Sequence, residues 1–242
     1  MSSLYLYGIL PASAVQLTAE GLDHQPVQTH EMHGFTFLYS HAQQDRYLAS
    51  RRNLLGHERV LEQAMAQGYR ALLPLQFGMT INDWATVEQQ LVLPQGEKLK
   101  HLFVKLEGRR EVGVKVFWDA EQELAALMAS DADLRAKRDQ LVGKPLGMDQ
   151  VVQIGQAIEQ AMQERKQQVI VTFQSALNSL AVEVVENEAL TESMIYNAAY
   201  LIEWEAEAQF GQQVEALDQQ FEGRLRIRYN NFTAPFNFAQ LN

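Results

Sequence analysis

The stretch Glu111-Val112-Gly113-Val114-Lys115-Val116-Phe117-Trp118 decides the fold class, because its side chains alternate with a period of two. Its three valines and Trp118 fall on one side, and Glu111, Gly113, Lys115 and Phe117 fall on the other. This alternation is typical of a strand that packs one face against a core. The sequence therefore predicts a sheet in the second half of the chain.

The residues after this strand predict a βαββαβ order. A long helix is predicted over residues 149–177, where apolar residues recur at spacings of three, four and seven. The remaining predicted elements are, in order, a strand at 180–185, a strand at 193–204, a helix at 205–222 and a strand at 224–229. This is the order of a ferredoxin-like domain, an antiparallel sheet with both helices on one face.

The first half of the chain predicts a smaller α+β domain. Strands are predicted at 3–10, 27–31, 35–40 and 71–77, with a hairpin turn at Met32-His33-Gly34. Helices are predicted at 45–67, closed by Gly68, and from Asn82-Asp83 to Leu106 with an interruption at Pro94-Gln95-Gly96. These strands and helices occur in an order similar to that of the second half, although residues 11–26, where the first helix would have to lie, are poorly suited to a helix.

The predicted organisation is therefore an α+β protein of two domains. The N-terminal α+β domain takes residues 1–105, the ferredoxin-like domain residues 106–229, and an aromatic tail residues 230–242. Both predicted domains are long enough to enclose a core of their own.

Composition excludes several classes of protein. The 242 residues include no cysteine, which excludes a disulfide-stapled secreted domain, a thiol enzyme and a zinc ribbon. The net charge of −10, from 20 Lys+Arg and 30 Asp+Glu, disfavours nucleic acid and anionic lipid as partners. There is no basic leader and no apolar segment of the ~18 residues that a membrane span needs. We expect a cytoplasmic protein that binds neither nucleic acid nor a lipid membrane.

Candidate catalytic and metal-binding residues form no recognisable motif. His30 and His33 lie near the predicted hairpin turn with Glu31 between them, but adjacent strand residues point to opposite faces. The acidic cluster at 203–207 lies at a predicted helix start, where the helix dipole favours negative charge. Phosphate-loop, dinucleotide and serine-nucleophile motifs are absent.

We therefore predict a protein without catalytic residues, cofactor or metal, which is not an enzyme. The alternative is a small-ligand-binding or metal-binding α+β protein, or an enzyme that uses the domain cleft, as folds of this class often do.

Three arginines, Arg224, Arg226 and Arg228, alternate along the last predicted strand and so share one face. Two interpretations stay open. The three guanidinium groups form an anion-binding stripe for an acidic protein partner, or they are the solvated face of a sheet whose neighbouring strands supply Glu111 or Glu183.

The C-terminal tail is unusually aromatic. Phe232, Phe236 and Phe238 follow Tyr229 within ten residues, and Pro235 prevents continuous strand pairing. We expect the tail either to fold back over the groove between the two domains or to insert into a partner. Its three phenylalanines and the three arginines are the candidate protein-interaction residues.

Several segments resemble the blocks of the gas vesicle protein F/L family and occur in the same order. The blocks are Tyr5-Leu6-Tyr7-Gly8-Ile9, Leu73-Pro74-Leu75-Gln76-Phe77-Gly78-Met79, the strand at 112–119, and Asn197-Ala198-Ala199-Tyr200-Leu201. The family's usual ending, Gly-Pro-Trp-Pro-Pro-Tyr, is replaced by Phe232-Thr233-Ala234-Pro235-Phe236-Asn237-Phe238, which lacks the tryptophan and keeps a single proline. This departure resembles the F-type branch of the family.

The resemblance implies a non-enzymatic protein of gas vesicle formation that acts at the vesicle in the cytoplasm. It implies a minor shell-associated component or an assembly factor that binds the small, hydrophobic main shell protein, with other gas vesicle proteins as further partners. The family has no catalytic residues to carry over to this chain. Whether the protein self-associates stays open.

Overall fold

The computed structural model describes residues 3–12, 16–139 and 148–240. The chain divides into two compact units, of which the first is Met1–Val112 with Leu201–Glu205 and Asn230–Asn242. The second is Gly113–Tyr200 with Ala206–Tyr229. Helices and two sheets occur together, which confirms the α+β class. The predicted domain limits of 1–105, 106–229 and 230–242 stay a prediction, and the first unit runs on to Val112 and also takes in Leu201–Glu205 and Asn230–Asn242.

The first sheet is antiparallel and has the strand order β2-β3-β1-β4, with β5 also paired to β1. Its strands are β1 (Leu4–Pro11), β2 (Gln28–Met32), β3 (Phe35–His41), β4 (Leu73–Pro74) and β5 (Thr80–Ile81). The hairpin between β2 and β3 is confirmed, and both turn residues, His33 and Gly34, have positive φ. The strand predicted at 71–77 pairs as a strand only at Leu73–Pro74, although the backbone N–H of Leu75 also donates to the carbonyl of Tyr7 in β1.

The strand β1 forms the centre of the first unit. Its residues from Tyr5 to Leu10 are buried, and a bulge lies between Leu6 and Gly8 in the pairing with β3. A Cβ at Gly8 would lie 3.0 Å from the carbonyl oxygen of Leu73, so the neighbouring backbone approaches too closely for a side chain.

The helix α1 (Arg51–Ala66) packs its apolar stripe on this sheet. It begins six residues later than predicted, because the Ser50 side chain accepts a hydrogen bond from the backbone N–H of Asn53 and caps the helix there. Its end is as predicted, since Gly68 has a φ of 98°. The stripe consists of His57, Val60, Leu61, Ala64 and Met65.

The predicted interruption at Pro94-Gln95-Gly96 is wrong. The helix α2 (Trp84–Val87), a π-helical turn (Glu88–Val92) and the helix α3 (Leu93–Leu106) follow one another without a break. In the wide turn the N–H of Leu93 bonds to the carbonyl of Glu88, and Pro94 lies in the first turn of α3. A proline is tolerated at that position because it needs no N–H donor there.

The second sheet has the order β7-β8-β6-β9. Its strands are β6 (Arg109–Trp118), β7 (Glu183–Glu186), β8 (Met194–Glu203) and β9 (Leu225–Thr233), and the helices are α4 (Ala120–Ser130), α5 (Ala132–Asp139), α6 (Met148–Leu177) and α7 (Glu207–Gln220). When the strands of each sheet are numbered by their position along the chain, the two sheets have the same spatial order: second, third, first, fourth. The last strand extends to Thr233, four residues beyond its predicted end, and Arg224 precedes it.

Two tyrosines of β8 place α6 and α7 against the same side of that strand. Tyr196 and Tyr200 are four residues apart and so point to one face. The ring of Tyr196 lies 6.2 Å from that of Phe173 in α6, and the ring of Tyr200 lies 5.0 Å from that of Phe210 in α7. Within the described residues, no helix is both long and apolar enough to cross a lipid bilayer.

Candidate functional site

The C-terminal segment after Tyr229 is packed into the first unit. Only 2% of the Phe238 surface is exposed and Ala234 is fully buried. The Lys105 ammonium lies 5.4 Å from the centre of the Phe238 ring, close enough for a cation–π contact. Of the three predicted contact phenylalanines, Phe238 therefore has the surroundings of a core residue.

A buried carboxylate holds this segment in place. The backbone N–H of Asn237 donates to Oε2 of Glu111 at 2.9 Å, and its side-chain Nδ2 donates to Oε1 at 2.6 Å. Burial raises the pKa of Glu111 to about 7, although the two hydrogen bonds from Asn237 act in the opposite direction. Glu111, considered from sequence as a partner for the arginines, instead binds the tail.

Phe236 and Phe232 are half-buried. The ring of Phe236 lies 6.4 Å from that of His57. The guanidinium of Arg110 lies 5.4 Å from the ring of Phe232 and 4.7 Å from that of Trp204. Both phenylalanines therefore combine packing within the unit with partial exposure.

An apolar cavity of about 520 Å³ opens beside Phe236. This volume lies within the range of small-ligand and side-chain pockets. The lining side chains are apolar or carry an amide: Pro74, Leu75, Gln76, Met79, Leu91, Phe236, Ala239 and Gln240.

The buried residue beneath this region is His57, which is 2% exposed. Its Nε2 lies 3.1 Å from the carbonyl oxygen of Leu75 and its Nδ1 lies 3.0 Å from the hydroxyl of Tyr5. Burial lowers the pKa of His57 to about 4, although the bond to Leu75 raises it, so the ring is neutral at pH 7. A neutral ring has one N–H, so Nε2 donates to Leu75 and Nδ1 accepts from Tyr5.

The two hairpin histidines have separate partners. The ring of His30 stacks on Trp84 at 3.9 Å, and Nε2 of His33 lies 2.5 Å from Oε1 of Glu88. Across the part of the chain that the structure describes, no three His, Asp or Glu side chains converge as a group that could hold a metal ion.

The strand β9 presents two exposed guanidinium groups. Those of Arg226 and Arg228 lie 4.5 Å and 5.2 Å from the centre of the Phe117 ring. Phe117 belongs to the neighbouring strand β6, and its ring is buried beneath the two charges. The structure therefore brings two of the three predicted arginines together on one aromatic ring.

Arg224 has a different position from the other two. Its Nε and Nη2 donate to the carboxylate of Glu123 in α4 at 2.7 Å and 2.9 Å, and Nε of Arg165 in α6 donates to the same carboxylate at 2.7 Å. Burial alone would raise the pKa of Glu123, but the hydrogen bonds from the two guanidinium groups outweigh it and hold the pKa below its usual range. The carboxylate of Glu123 thus connects α4, α6 and the residue that precedes β9.

Replacing Glu123 by glutamine is expected to lower the free energy of unfolding by about 2 kcal/mol, because two guanidinium groups lose the negative charge of the carboxylate that both of them contact. The value lies below that of a fully buried pair because the Arg165 and Arg224 side chains are 24% and 41% exposed. Urea titration of the E123Q variant measures it. The same change at the exposed Glu159 of α6 should have almost no effect, and equal values for both variants would contradict the prediction.

Comparison with known proteins agrees with the resemblance seen in the sequence. A family model described as "Gas vesicle synthesis protein GvpL/GvpF" matches residues 3–240. The chain belongs to this family. It is similar to gas vesicle protein F of Nostoc sp. strain PCC 7120, with 56% identity over 241 residues and 99% of each chain covered. It is also similar to gas vesicle protein F of Microcystis aeruginosa strain PCC 7806, with 52% identity over 239 residues and 98% of each chain covered.

Two solved structures of the GvpL/GvpF family have the same fold. The crystal structure of GvpF from Anabaena sp. PCC7120 gives a TM-score of 0.88 at 51% identity and covers 100% of this chain and 98% of that one. GvpF from Microcystis aeruginosa gives 0.88 at 51% identity, with 100% of both chains covered. These relatives are named gas vesicle protein F, and the family is a structural and assembly family that is not known for enzymes.

Sequence reasoning missed the buried roles of Glu123 and His57 in this GvpL/GvpF member. Both residues carry a signal that points to burial. His57 lies three and four residues before Val60 and Leu61, on the apolar stripe of α1, and Glu123 lies four residues before Leu127. A titratable residue on an apolar stripe predicts burial with a partner, but the identity of the partner depends on the folded chain.

Proposed function

We propose that this protein acts in gas vesicle formation by binding the main shell protein. It does so as a minor shell-associated component or as an assembly factor, and other gas vesicle proteins are further candidate partners. Membership of the GvpL/GvpF family over residues 3–240 is the observation that carries this proposal. We place the protein in the cytoplasm at the gas vesicle.

The apolar cavity beside Phe236 is the proposed contact for an apolar segment of the shell protein. Support comes from its lining, in which Leu75, Met79 and Leu91 lie together with Phe236. A hydrophobic shell subunit needs apolar surface covered before it polymerises, and an apolar pocket in an acidic protein offers such cover. Phe232, also half-buried, is the second proposed contact in the tail.

We also propose that the second sheet and its helices form a ferredoxin-like domain within residues 106–229, preceded by an α+β domain at 1–105 and followed by the tail at 230–242. The strand order β7-β8-β6-β9 and the contacts of α6 and α7 with one face of β8 support it. A βαββαβ unit of this kind keeps one face of its sheet clear of its own helices.

Replacing Leu91 by glutamine is expected to weaken binding of the main shell protein by about tenfold, because a leucine side chain contributes roughly 1.5–3 kcal/mol when it is buried. Leu91 is half-buried and lines the cavity. The measurement is the amount of shell protein that co-purifies with a tagged copy of this chain from cells that express both.

The matched control is L93Q, because Leu93 is 64% exposed and does not line the cavity. This variant should retain the shell protein. If neither the parent chain nor L93Q retains any shell protein, the proposed function is contradicted. If all three retain it equally, the cavity is not the contact.

The choice between a shell component and an assembly factor is open to direct measurement. Intact vesicles are floated from the cells, washed in urea and probed with an antibody against this protein. Retention after the wash indicates a tightly held shell component. Loss to the soluble fraction indicates an assembly factor that leaves the finished vesicle.

A further inference from the structure

Arg226 and Arg228 have an unusual position in an acidic protein. Within residues 3–12, 16–139 and 148–240, no carboxylate forms an ion pair with either guanidinium, although the chain carries 30 Asp+Glu against 20 Lys+Arg. The neighbouring Arg224 shows the contrast, since its charge is neutralised by Glu123. Two exposed positive charges are therefore left available on β9.

The two guanidinium groups are also held in place. Both lie over the ring of Phe117, at 4.5 Å and 5.2 Å from its centre. A guanidinium stacked on an aromatic ring keeps its N–H groups free at the edge while its plane is fixed. Less side-chain entropy is lost when such a group binds a carboxylate. Lys115 lies two residues before Phe117 and so adds a third positive charge to this face of β6.

The spacing of these charges fits an extended peptide. Residues two apart on a strand lie about 6.6 Å apart, and this is also the spacing of alternate side chains in any other extended segment. The strand β9 is the last strand of its sheet on that side, so its outer edge is not paired with another strand of the order β7-β8-β6-β9. Edge strands bind extended segments through backbone hydrogen bonds, while alternate side chains provide specificity.

From these observations we infer that Arg226 and Arg228, with the outer edge of β9, form a binding site for an extended acidic segment of a partner protein. Carboxylates at alternate positions of that segment pair with the two guanidinium groups, and its backbone pairs with β9. A nucleic acid is the less suitable occupant, because the net charge of −10 repels a phosphate backbone. The inference goes beyond the proposed function, because the segment need not belong to the main shell protein.

The test uses the full chain and a short fluorescein-labelled peptide that alternates glutamate and valine. Its binding is measured by fluorescence anisotropy at low ionic strength. We expect R226Q/R228Q to weaken binding by about tenfold, as expected for the loss of two charge-assisted contacts at a surface. R226K/R228K keeps the charges but loses the stacked, forked geometry and should fall between that variant and the parent chain.

The matched control is R51Q/R52Q, which removes the same charge from two exposed arginines of α1. This variant should bind the peptide as the parent chain does. Equal weakening by both double variants would overturn the inference in favour of general electrostatic attraction. Equal binding of a peptide with glutamine in place of glutamate would overturn it in favour of an apolar contact.

Competition experiments distinguish an acidic protein segment from other anionic ligands of the same site. Displacement of the peptide by low-millimolar inorganic phosphate, or by a short single-stranded RNA at the peptide's own concentration, would overturn the assignment to an acidic protein segment. A negative result with the peptide leaves the shell-protein experiment intact, because that experiment depends on Leu91 and measures a different partner.

Discussion

Replacing Phe238 by alanine is expected to lower the free energy of unfolding by about 3–4 kcal/mol. The side chain is 2% exposed, and its removal leaves a cavity that the surrounding residues fill only in part. For a chain of this size the loss corresponds to a fall of about 10 °C in melting temperature. Urea titration and calorimetry of the F238A variant measure the two quantities.

The same substitution at Phe232 is the matched control, because Phe232 lies in the same segment but is half-buried. Its cost should be about 1 kcal/mol, since less apolar area leaves water there. A loss below about 1 kcal/mol for F238A, or equal losses for both variants, would show that the segment is not part of the core.

The burial of Phe238 decides how the C-terminal segment should be studied. Truncation after Tyr229 removes Phe238 and the Asn237 donors of Glu111 together, so it destabilises the first unit whatever the segment contacts outside it. Loss of a partner in such a variant would follow from unfolding alone. Single changes at partly exposed positions, such as Leu91, separate binding from folding.

Much of the fold could be predicted from local patterns in the sequence. The alternation at 111–118 predicts β6, the apolar spacing at 149–177 predicts α6, and Gly34 predicts the hairpin between β2 and β3. Each of these signals lies within a short segment, because the period of apolar residues and the φ angle of a turn are set by near neighbours.

The errors arise where the outcome depends on distant or unusual contacts. Pro94 predicts a helix break, but a π-helical turn before it removes the need for its missing N–H. The partners of the candidate site residues are also remote in sequence: Glu123 lies 101 positions before Arg224, and Glu111 lies 126 positions before Asn237. No local pattern identifies pairs at such separations.

Replacing Glu111 by glutamine is expected to remove a pH-dependent contribution of about 3 kcal/mol from the free energy of unfolding. Folding raises the pKa of this carboxyl from 4.5 to about 7, because burial disfavours its charged form. Between these values the folded protein holds a proton that the unfolded chain releases. The stabilisation from this group is therefore present below pH 4.5 and is lost as the pH rises to 7.

His57 has the opposite effect over nearly the same range. Its pKa falls from 6.5 to about 4 on folding, so the unfolded chain binds a proton that the folded protein does not. Stability from this group is lost as the pH falls from 6.5 to 4, again by about 3 kcal/mol. In the parent chain the two effects largely cancel between pH 4.5 and pH 6.5.

The E111Q variant loses one of these effects and keeps the other, so it should become markedly less stable on acidification while the parent chain does not. The oxygen of the introduced amide still accepts from the backbone N–H of Asn237, and the Asn237 side chain can turn to accept from the introduced NH2 group. The measurement is the urea midpoint of both proteins at about pH 5 and about pH 8.

The exposed Glu188 gives a matched control, because E188Q makes the same change in charge. The difference in stability between E111Q and the parent chain should shift by about 3 kcal/mol towards the variant as the pH rises, whereas that of E188Q should stay constant. Parallel curves for all three proteins would mean that Glu111 has the same pKa in the folded and unfolded states, so that its carboxylate is ionised in the folded protein across this pH range. In that case Asn237 would hold a charged carboxylate, and burial would not be the dominant influence on its pKa.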